Sequence, residues 1–301
     1  MKANPLQKLS PTAQGYVFAL ITMCVWGGFS LMARLNVHWG IRSWDIIALR
    51  YGVSALILLP IVLYKKDHHF LFNIKAVILA MVGGLGYNCL VYSAFLLAPV
   101  ANGAVFLNGM IPVATALLAW VFLKKRPDQN TKTALLIIGI TLSIMTFLMW
   151  QNGMKLGLGD LLFIACAFCW SVYGLLLAQW KISAWQVVCG TAIWSAVLYL
   201  PVYFLLIGAD VSGVQTHHLI IQGAFHGVLV MIVATVTYTL AVERLGAFFA
   251  GGLASTAPFI ASVLAFPLLG EPLNQVMILG LIGMGLGTIQ PWRFFKFNKK
   301  T

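Results

Sequence analysis

The chain is poor in charged residues. Only 9% of its 301 residues are charged, 61% are hydrophobic, and the mean hydropathy is +0.93. A soluble domain has about 25% charged residues, so a soluble protein is excluded and the composition indicates a polytopic membrane protein. The seven acidic residues lie almost entirely at the ends of apolar stretches. A convergent set of acid, base and nucleophile is therefore missing, which argues against an enzyme, and nothing in the pattern indicates a cofactor.

Cysteine is also scarce, and its pattern excludes a disulfide framework. The five cysteines are odd in number and all lie inside apolar segments. Cys166 and Cys169 have the spacing of metal ligands, but no histidine lies near them in sequence. We therefore interpret the cysteines as small packing residues and predict no metal site.

Long apolar runs are what the sequence has in quantity. Ten of them are long enough to cross about 30 Å of hydrocarbon as helices. Lys2 and Lys8 precede the first run, which has no small-residue cleavage site, so we expect a retained first span rather than a cleaved signal peptide. The predicted spans are 14–35, 44–64, 75–97, 100–123, 132–150, 159–179, 185–206, 219–242, 247–269 and 273–291.

The basic residues predict how the spans are oriented. With a cytoplasmic N-terminus, fifteen Lys and Arg residues fall on the cytoplasmic side. Only Arg34, Arg42 and Lys155 fall on the outer side, and Arg50 lies within the second span. Cytoplasmic loops carry such an excess, so we predict two cytoplasmic termini in a multi-pass protein of the bacterial inner membrane. The net charge of +12 is then an orientation signal and not a nucleic-acid surface.

The two halves of the chain resemble each other. Tyr92 and Pro112 in the third and fourth spans match Tyr238 and Pro258 in the eighth and ninth, with a separation of 20 in each pair and an offset of 146. Five spans per repeat is an odd number, so the second repeat is expected to be inserted upside down. Inverted repeats are typical of transporters that alternate access around a central site.

This repeat defines the predicted fold. We predict an all-α membrane protein of ten transmembrane helices in two inverted five-helix repeats, residues 1–151 and 152–301. Pro112 and Pro258 lie near the middle of their spans, where a proline cannot donate to the carbonyl four residues before it. We predict helix breaks there that mark a transport site; the alternative is an ordinary kink, which membrane helices tolerate.

Several short motifs follow one another along the chain. They are Trp26-Gly27, Leu49-Arg50-Tyr51, Tyr92-x-Ala94, Pro112, Gly159-Asp160, Trp170, Glu243-Arg244-Leu245-Gly246-Ala247, Pro258 and Gly270-Glu271-Pro272. Their order and spacing resemble the EamA-type family of the drug/metabolite transporter superfamily. The resemblance implies ten helices in two inverted repeats around a central cavity, and export of amino acids or other small metabolites from the cytoplasm. The chain departs from the family at Lys125, where a glutamate matching Glu271 is often found.

The segment GGLGYNCLVYS, residues 83–93, places polar and aromatic side chains in an otherwise apolar span. On a helix, Gly84, Asn88 and Tyr92 share one stripe, and Tyr87 borders it. An unpaired amide in lipid costs several kcal/mol, so we expect Asn88 to face a cavity or to form an interhelical hydrogen bond. Residues near the same depth, which we interpret as lining one chamber with Asn88, are Trp26, Asn108, Trp170 and His226.

The resemblance assigns Tyr87, Asn88 and Trp170 to the lining of a cavity. Aromatic walls with a few amides suit a small amphipathic solute. The further substrate-binding candidates are Tyr92, Tyr173, Tyr238, Ser255 and Thr256.

Two ionisable side chains inside the spans require an explanation. Arg50 lies about 9 Å inside the second span and must be paired or solvated. Asp45, Asp160 and Glu271 belong at the same outer side and are the expected partners. We interpret Arg50 and Glu271 as gating charges, or Arg50 as an anchor for a substrate carboxylate; the alternative is a structural pair or a snorkelling side chain. His226 either relays protons or hydrogen-bonds a neighbouring helix. Transport could be coupled to protons through His226 or Glu271, or it could be uncoupled, and the sequence leaves both alternatives open.

Together these features predict a secondary transporter. We expect it to export small metabolites, foremost amino acids or related amphipathic compounds, across the inner membrane by alternating access. Its partners are then a small-molecule solute and the lipid bilayer. A multidrug or cationic-compound efflux carrier and a channel are the alternatives. Gly283 and Gly287 mark a close helix contact, either within the chain or between the protomers of a homodimer.

Overall fold

Helices make up almost all of the structure. A computed structural model of the chain describes residues 9–153, 155–259 and 275–293, with the backbone alone at 30, 31, 33, 34, 37, 100, 101 and 277. In chain order the helices are α1 (Pro11–His38), α2 (Ser43–Tyr64), α3 (Ile74–Leu97), α4 (Val100–Gly103, Ala104–Gly109 and Met110–Leu123), α5 (Gln129–Gln151), α6 (Leu158–Trp180), α7 (Ala184–Ile207), α8 (Thr216–Leu245), α9 (Ala247–Ser255) and α10 (Gln275–Ile289).

The helices have the length and composition of membrane spans. Eight of them, α1 to α8, are long and apolar enough to cross a bilayer. Their outward surfaces are apolar, and side chains such as Leu56 and Leu205 are 75% and 81% exposed. A bilayer requires this arrangement, with backbone groups satisfied inside the helix and apolar side chains outside. A multi-pass membrane protein is confirmed. Residues 260–274, between α9 and α10, lie outside the described residues, so the count of ten spans and the cytoplasmic termini stay predictions.

Helices α2 and α7 hold matching places in the two halves, and they pack side by side in opposite directions. At one end the Lys65 ammonium lies 4.7 Å from the ring centroid of Trp185. At the other end the Tyr203 hydroxyl donates to Asp45 Oδ1 over 2.5 Å. The end of α2 thus lies beside the start of α7. Equivalent helices that run antiparallel support an inverted repeat.

Helices α5 and α10 also hold matching places and run antiparallel. Gly283 packs on Thr141, and a Cβ on Gly287 would lie 2.5 Å from Ile138 Cγ1. Residue numbers therefore rise along α10 as they fall along α5. The Gly283 and Gly287 pair forms its close contact within the chain, which is one of the two uses expected for it.

In the other two long helix pairs, a helix of the first half also packs on a helix of the second half. Helix α1 packs on α8, where Thr22 Oγ1 lies 2.7 Å from Thr237 Oγ1. Helix α3 packs on α6, where the Phe95 and Phe163 ring centroids are 5.1 Å apart. Because α6 corresponds to α1 and α8 to α3, these two pairs are equivalent. The main buried core lies among these four helices, α2 and α7.

The helices are irregular beside both prolines of the repeat. Residues Ala104–Gly109 wind as a π-helix directly before the α-helical segment that contains Pro112. In the second half α9 ends at Ser255, and the Thr256 N–H donates to the Leu253 carbonyl over 3.0 Å. Proline removes an N–H donor at each site, so both helices depart from regular α geometry at matching positions.

Two further π-helical segments lie in the equivalent helices α3 and α8. They span Ala80–Gly84 and Ala224–Ala234. Such segments shift the helical phase of the side chains that follow them and are frequent at functional sites. In this protein they precede Tyr87 and Asn88 in α3 and Tyr238 in α8.

Candidate functional site

Five aromatic rings meet between α1, α3, α6 and α8. The Trp170 ring centroid lies 5.1 Å from Trp26, 5.0 Å from Tyr87, 5.1 Å from Tyr173 and 5.1 Å from Tyr238. The Tyr173 and Tyr238 rings are nearly parallel, with 9° between their planes. We call these five residues the aromatic cage. The sequence predicted all five as chamber residues, and the structure places them in one cluster.

Helix geometry explains why the cage forms. Trp170 and Tyr173 are three residues apart on α6 and therefore project from one face. Trp26 and Tyr87 approach from the first half of the chain, and Tyr238 comes from the second. Trp170, Tyr173 and Tyr238 are buried, whereas Trp26 and Tyr87 are half-buried. The cage thus joins the two repeats through tilted and edge-to-face ring contacts, which are favourable for aromatic side chains.

Glycines in α3 provide the space that the cage needs. A Cβ on Gly83 would overlap the Tyr173 ring, so only glycine lets α3 approach α6 this closely. A Cβ on Gly86 would overlap the carbonyl oxygen of Met81, five residues earlier, where the π-helical turn brings that oxygen close. The glycine-rich start of the segment GGLGYNCLVYS is therefore a packing requirement of the site.

A buried polar cluster lies beside the cage. Arg50 Nη1 donates a hydrogen bond to Asn88 Oδ1. The Asn88 amide donates in turn to the Tyr51 hydroxyl over 2.7 Å and to the Gly84 carbonyl over 2.8 Å. The amide oxygen of Asn88 thus accepts from the cation, and its amide nitrogen donates to acceptors on α2 and α3. We call Arg50, Tyr51 and Asn88 the arginine cluster.

The aromatic cage and the arginine cluster are adjacent on α3. Tyr87 of the cage directly precedes Asn88, which accepts a hydrogen bond from Arg50. The two groups are therefore neighbouring parts of one site, which is apolar on one side and positive on the other. A cation in a low-dielectric interior acts over longer distances than in water.

The expected ion pairs of Arg50 with Asp45 and Asp160 are not formed, and that prediction was wrong. Asp45 accepts from Arg42 Nε over 2.9 Å and from Tyr203. Asp160 accepts from Asn102 Nδ2 over 2.7 Å and from the backbone N–H at the start of α6. Each carboxylate is bound near its own helix end, and Asp45 is about 7.5 Å along the axis of α2 from Arg50 at 1.5 Å per residue. Glu271, the third expected partner, lies outside the described residues.

His226 is completely buried and has aromatic rings around it. Its ring lies edge-on to Phe29 at 5.5 Å and to Phe225 at 5.2 Å. Neither ring nitrogen has a hydrogen-bond partner among residues 9–153, 155–259 and 275–293. The interhelical hydrogen bond expected for His226 is therefore absent from that part of the chain, and its role as a proton relay stays a prediction.

Four other predicted residues have local or apolar surroundings. The Asn108 amide donates to the Gly103 carbonyl of its own helix over 3.2 Å, and Ser255 and Thr256 donate to carbonyls three residues before them. Tyr92 is buried, and its hydroxyl has no hydrogen-bond partner in the described structure. The structure thus places Asn88 beside the cage, whereas the side chains of Asn108 and Ser255 donate to carbonyls of their own helices.

Sequence reasoning missed Tyr51 as a site residue. Its ring is completely buried and its hydroxyl accepts from Asn88. A signal was present, because Tyr51 follows Arg50 in the Leu-Arg-Tyr motif. Consecutive helix residues point about 100° apart, however, so the motif alone does not place both side chains on one site.

Comparison with known families decides the identity of the fold. The model described as the EamA-like transporter family matches residues 13–151 and, a second time, residues 157–290. The chain belongs to the EamA-like transporter family. The resemblance drawn from the short motifs is confirmed, and this EamA-like protein is a membrane transporter with two family repeats.

Solved structures show the same architecture for this EamA-like chain. One crystal structure, titled only "Crystal structure of protein", superposes with a TM-score of 0.74 over 97% of this chain and 98% of that chain. The two sequences are 16% identical, so this likeness concerns the fold alone. No curated protein sequence matches the chain.

Proposed function

We propose that this EamA-like protein is a secondary transporter that exports small amphipathic metabolites, foremost amino acids, across the inner membrane by alternating access. The observation that carries the proposal is the aromatic cage centred on Trp170, with the arginine cluster at its side. Aromatic walls provide broad apolar contact, and a small number of polar groups fix orientation. Such a site suits a solute with one apolar and one polar end.

The position of the site supports alternating access. Trp26 and Tyr87 belong to the first repeat, and the other three cage residues belong to the second. The four contributing helices form two equivalent antiparallel pairs, α1 with α8 and α3 with α6. When two inverted repeats rock against each other, a site at their interface is exposed to one side of the membrane and then to the other.

An efflux carrier for cationic compounds is the second candidate, and one observation favours it. Tryptophan and tyrosine faces attract organic cations through cation–π interactions, and the cage has five such rings. Arg50 opposes this use because it places a positive charge beside the cage. The buried arginine therefore makes metabolite export the better supported function.

Flux measurements on proteoliposomes test the proposal. The full chain is purified, reconstituted, and loaded with an unlabelled amino-acid mixture, and uptake of labelled amino acids is followed. A carrier gives saturable counterflow that depends on internal solute. Linear, unsaturated flux would instead show a channel, and no solute-dependent flux from a stable, monodisperse protein would reject transport of these solutes.

A further inference from the structure

The guanidinium of Arg50 is a buried cation with unused donors. The residue is 7% exposed, and one of its nitrogens, Nη1, is bound to Asn88. Nε has no hydrogen-bond partner within residues 9–153, 155–259 and 275–293. The acids at the start of α2 and α6, Asp45 and Asp160, are bound elsewhere. Over the part of the chain that the structure describes, Arg50 therefore has no anionic partner.

A cation in this position favours an anion as its ligand. Charged groups inside a membrane protein are costly unless they are paired or face water. Asn88 offers a neutral carbonyl oxygen, which solvates the charge but does not neutralise it. An anionic group that entered the site would offset the charge directly, in a region where the low dielectric strengthens the attraction.

The geometry selects a carboxylate among small anions. Asn88 accepts from Nη1, and Nε, on the opposite edge of the guanidinium, has no hydrogen-bond partner within residues 9–153, 155–259 and 275–293. A planar edge with two parallel N–H donors matches the two oxygens of a carboxylate. Asn88 is itself held by Tyr51 and Gly84, so that edge has a fixed orientation relative to α3.

The second repeat has no counterpart of Arg50 and Asn88. Trp44 to Pro60 in α2 and Trp185 to Pro201 in α7 have the same separation of 16 residues, and this match sets Thr191 against Arg50. The match of Tyr92 with Tyr238 sets Ala234 against Asn88. The second repeat builds equivalent helices with a small alcohol and a methyl group at these positions. A charge and an amide in the first repeat alone indicate a role in the solute site.

We propose that Arg50 binds the carboxylate of the transported solute, that Asn88 positions Arg50, and that the aromatic cage holds the solute's apolar end. This inference rests on the proposed function and narrows it to solutes that carry a carboxylate, such as zwitterionic amino acids. Organic cations are rejected by repulsion from Arg50. In the primary amide of the same acid an uncharged carboxamide replaces the carboxylate, so the amide loses the ion pair and is bound more weakly.

Matched pairs of ligands test this on the wild-type protein alone. Thermal unfolding of the full chain in lipid nanodiscs is followed with L-phenylalanine, L-leucine, L-tryptophan and 3-phenylpropionate, each beside its primary amide. We expect at least one acid to stabilise the protein with an affinity about tenfold or more above its amide, the value of one charge-assisted hydrogen bond. Equal affinities within every pair, or no stabilisation by any acid, would overturn the proposal.

Three variants separate ligand binding from a structural role. Arg50→Gln removes the charge and should make the affinities for acid and amide equal. Arg50→Lys keeps the charge but lacks the two parallel N–H donors of the guanidinium, so it should retain part of the preference for the acid. Glu243→Gln removes an acid that is 64% exposed and should leave the preference intact. Loss of the preference in Glu243→Gln as complete as in Arg50→Gln would show that the preference does not depend on Arg50 as a ligand, and the proposal would fail.

The outcomes for this inference and for transport itself are distinguishable. Saturable counterflow of amides or amines at rates equal to those of the acids would reject the role of Arg50 and leave the transporter function standing. Absence of counterflow for every solute, from protein that still unfolds cooperatively, would reject the transporter function for this panel. Retention of the acid preference in a folded Arg50→Gln variant would reject the inference alone.

Discussion

The Trp26 and Trp170 rings meet edge to face, with centroids 5.1 Å apart and 75° between their planes. One residue belongs to α1 in the first repeat and the other to α6, the equivalent helix of the second. The contact therefore lies on the boundary between the two repeats, where the proposed alternating-access motion would take place. A solute held against both rings would be released or occluded by the same motion that changes access.

Loss of the central ring of the cage should abolish transport. Trp170→Ala removes the ring that contacts all four other cage residues, and we expect saturable counterflow to fall to background. Trp170→Phe keeps an aromatic face and should retain measurable flux with a raised KM. Trp120→Ala is the matched control, because Trp120 is 52% exposed on the outer surface of α4 and should transport normally.

Truncation of a buried tryptophan costs about 3–5 kcal/mol of stability, so each variant is first checked by size-exclusion chromatography in detergent. Unchanged counterflow kinetics in a monodisperse Trp170→Ala protein would contradict the assignment of the cage as the solute site.

The close approach of α3 to α6 should not tolerate a side chain on Gly83. A methyl group there would overlap the Tyr173 ring, so Gly83→Ala must displace Tyr173 or separate the helices. We expect overpacking to lower the free energy of unfolding by about 1–3 kcal/mol and to reduce transport. Gly139→Ala is the control, since no atom lies within 4 Å of its added Cβ. Thermal unfolding and counterflow of both variants measure the difference, and equal behaviour would contradict the packing described.

The buried carboxylate at the start of α2 should contribute more to stability than an exposed ion pair. Asp45 accepts from Arg42 and from Tyr203 and thereby ties α2 to the end of α7. Asp45→Asn leaves both donors without a charged acceptor and should cost about 1.5–3 kcal/mol. Glu243→Gln is the control, because Glu243 is 64% exposed and 3.7 Å from Arg244, and exposed pairs contribute about 0–1 kcal/mol. Thermal shifts of equal size in the two variants would show that the Asp45 cluster is not structural.

The sequence alone predicted a shared depth for Trp26, Asn88 and Trp170 but not the partners of Arg50, for a physical reason. Depth in the membrane follows from position along a span, so residues at one level can be expected near one chamber. Lateral neighbours depend on helix packing and on the local phase of each helix. The π-helical turn at Ala80–Gly84 changes that phase just before Asn88, and no simple helical wheel contains it.

The same reasoning explains the wrong pairing predicted for Arg50. Asp45 and Asp160 belong to the same predicted side of the membrane as Arg50, and charge alone favoured a pair. Asp45 instead accepts from Arg42, three residues before it, and Asp160 accepts from the Gly157 N–H, three residues before it, and from Asn102 of α4. A contact with a residue three positions away costs less conformational entropy than a contact with a side chain deep inside the span. Sequence patterns do not reveal which of these two contacts a carboxylate forms.

The orientation of the chain can be tested by the accessibility of single cysteines. In a background free of native cysteine, Lys125→Cys lies in the turn between α4 and α5, which is predicted to be cytoplasmic because of its neighbouring Lys124 and Arg126. A membrane-impermeant maleimide added to intact cells should leave it unlabelled and should label it after permeabilisation. Gly40→Cys, between α1 and α2, is the opposite control and should be labelled in intact cells. Labelling of Lys125→Cys from outside would contradict the predicted topology, because the excess of basic residues would then face away from the cytoplasm.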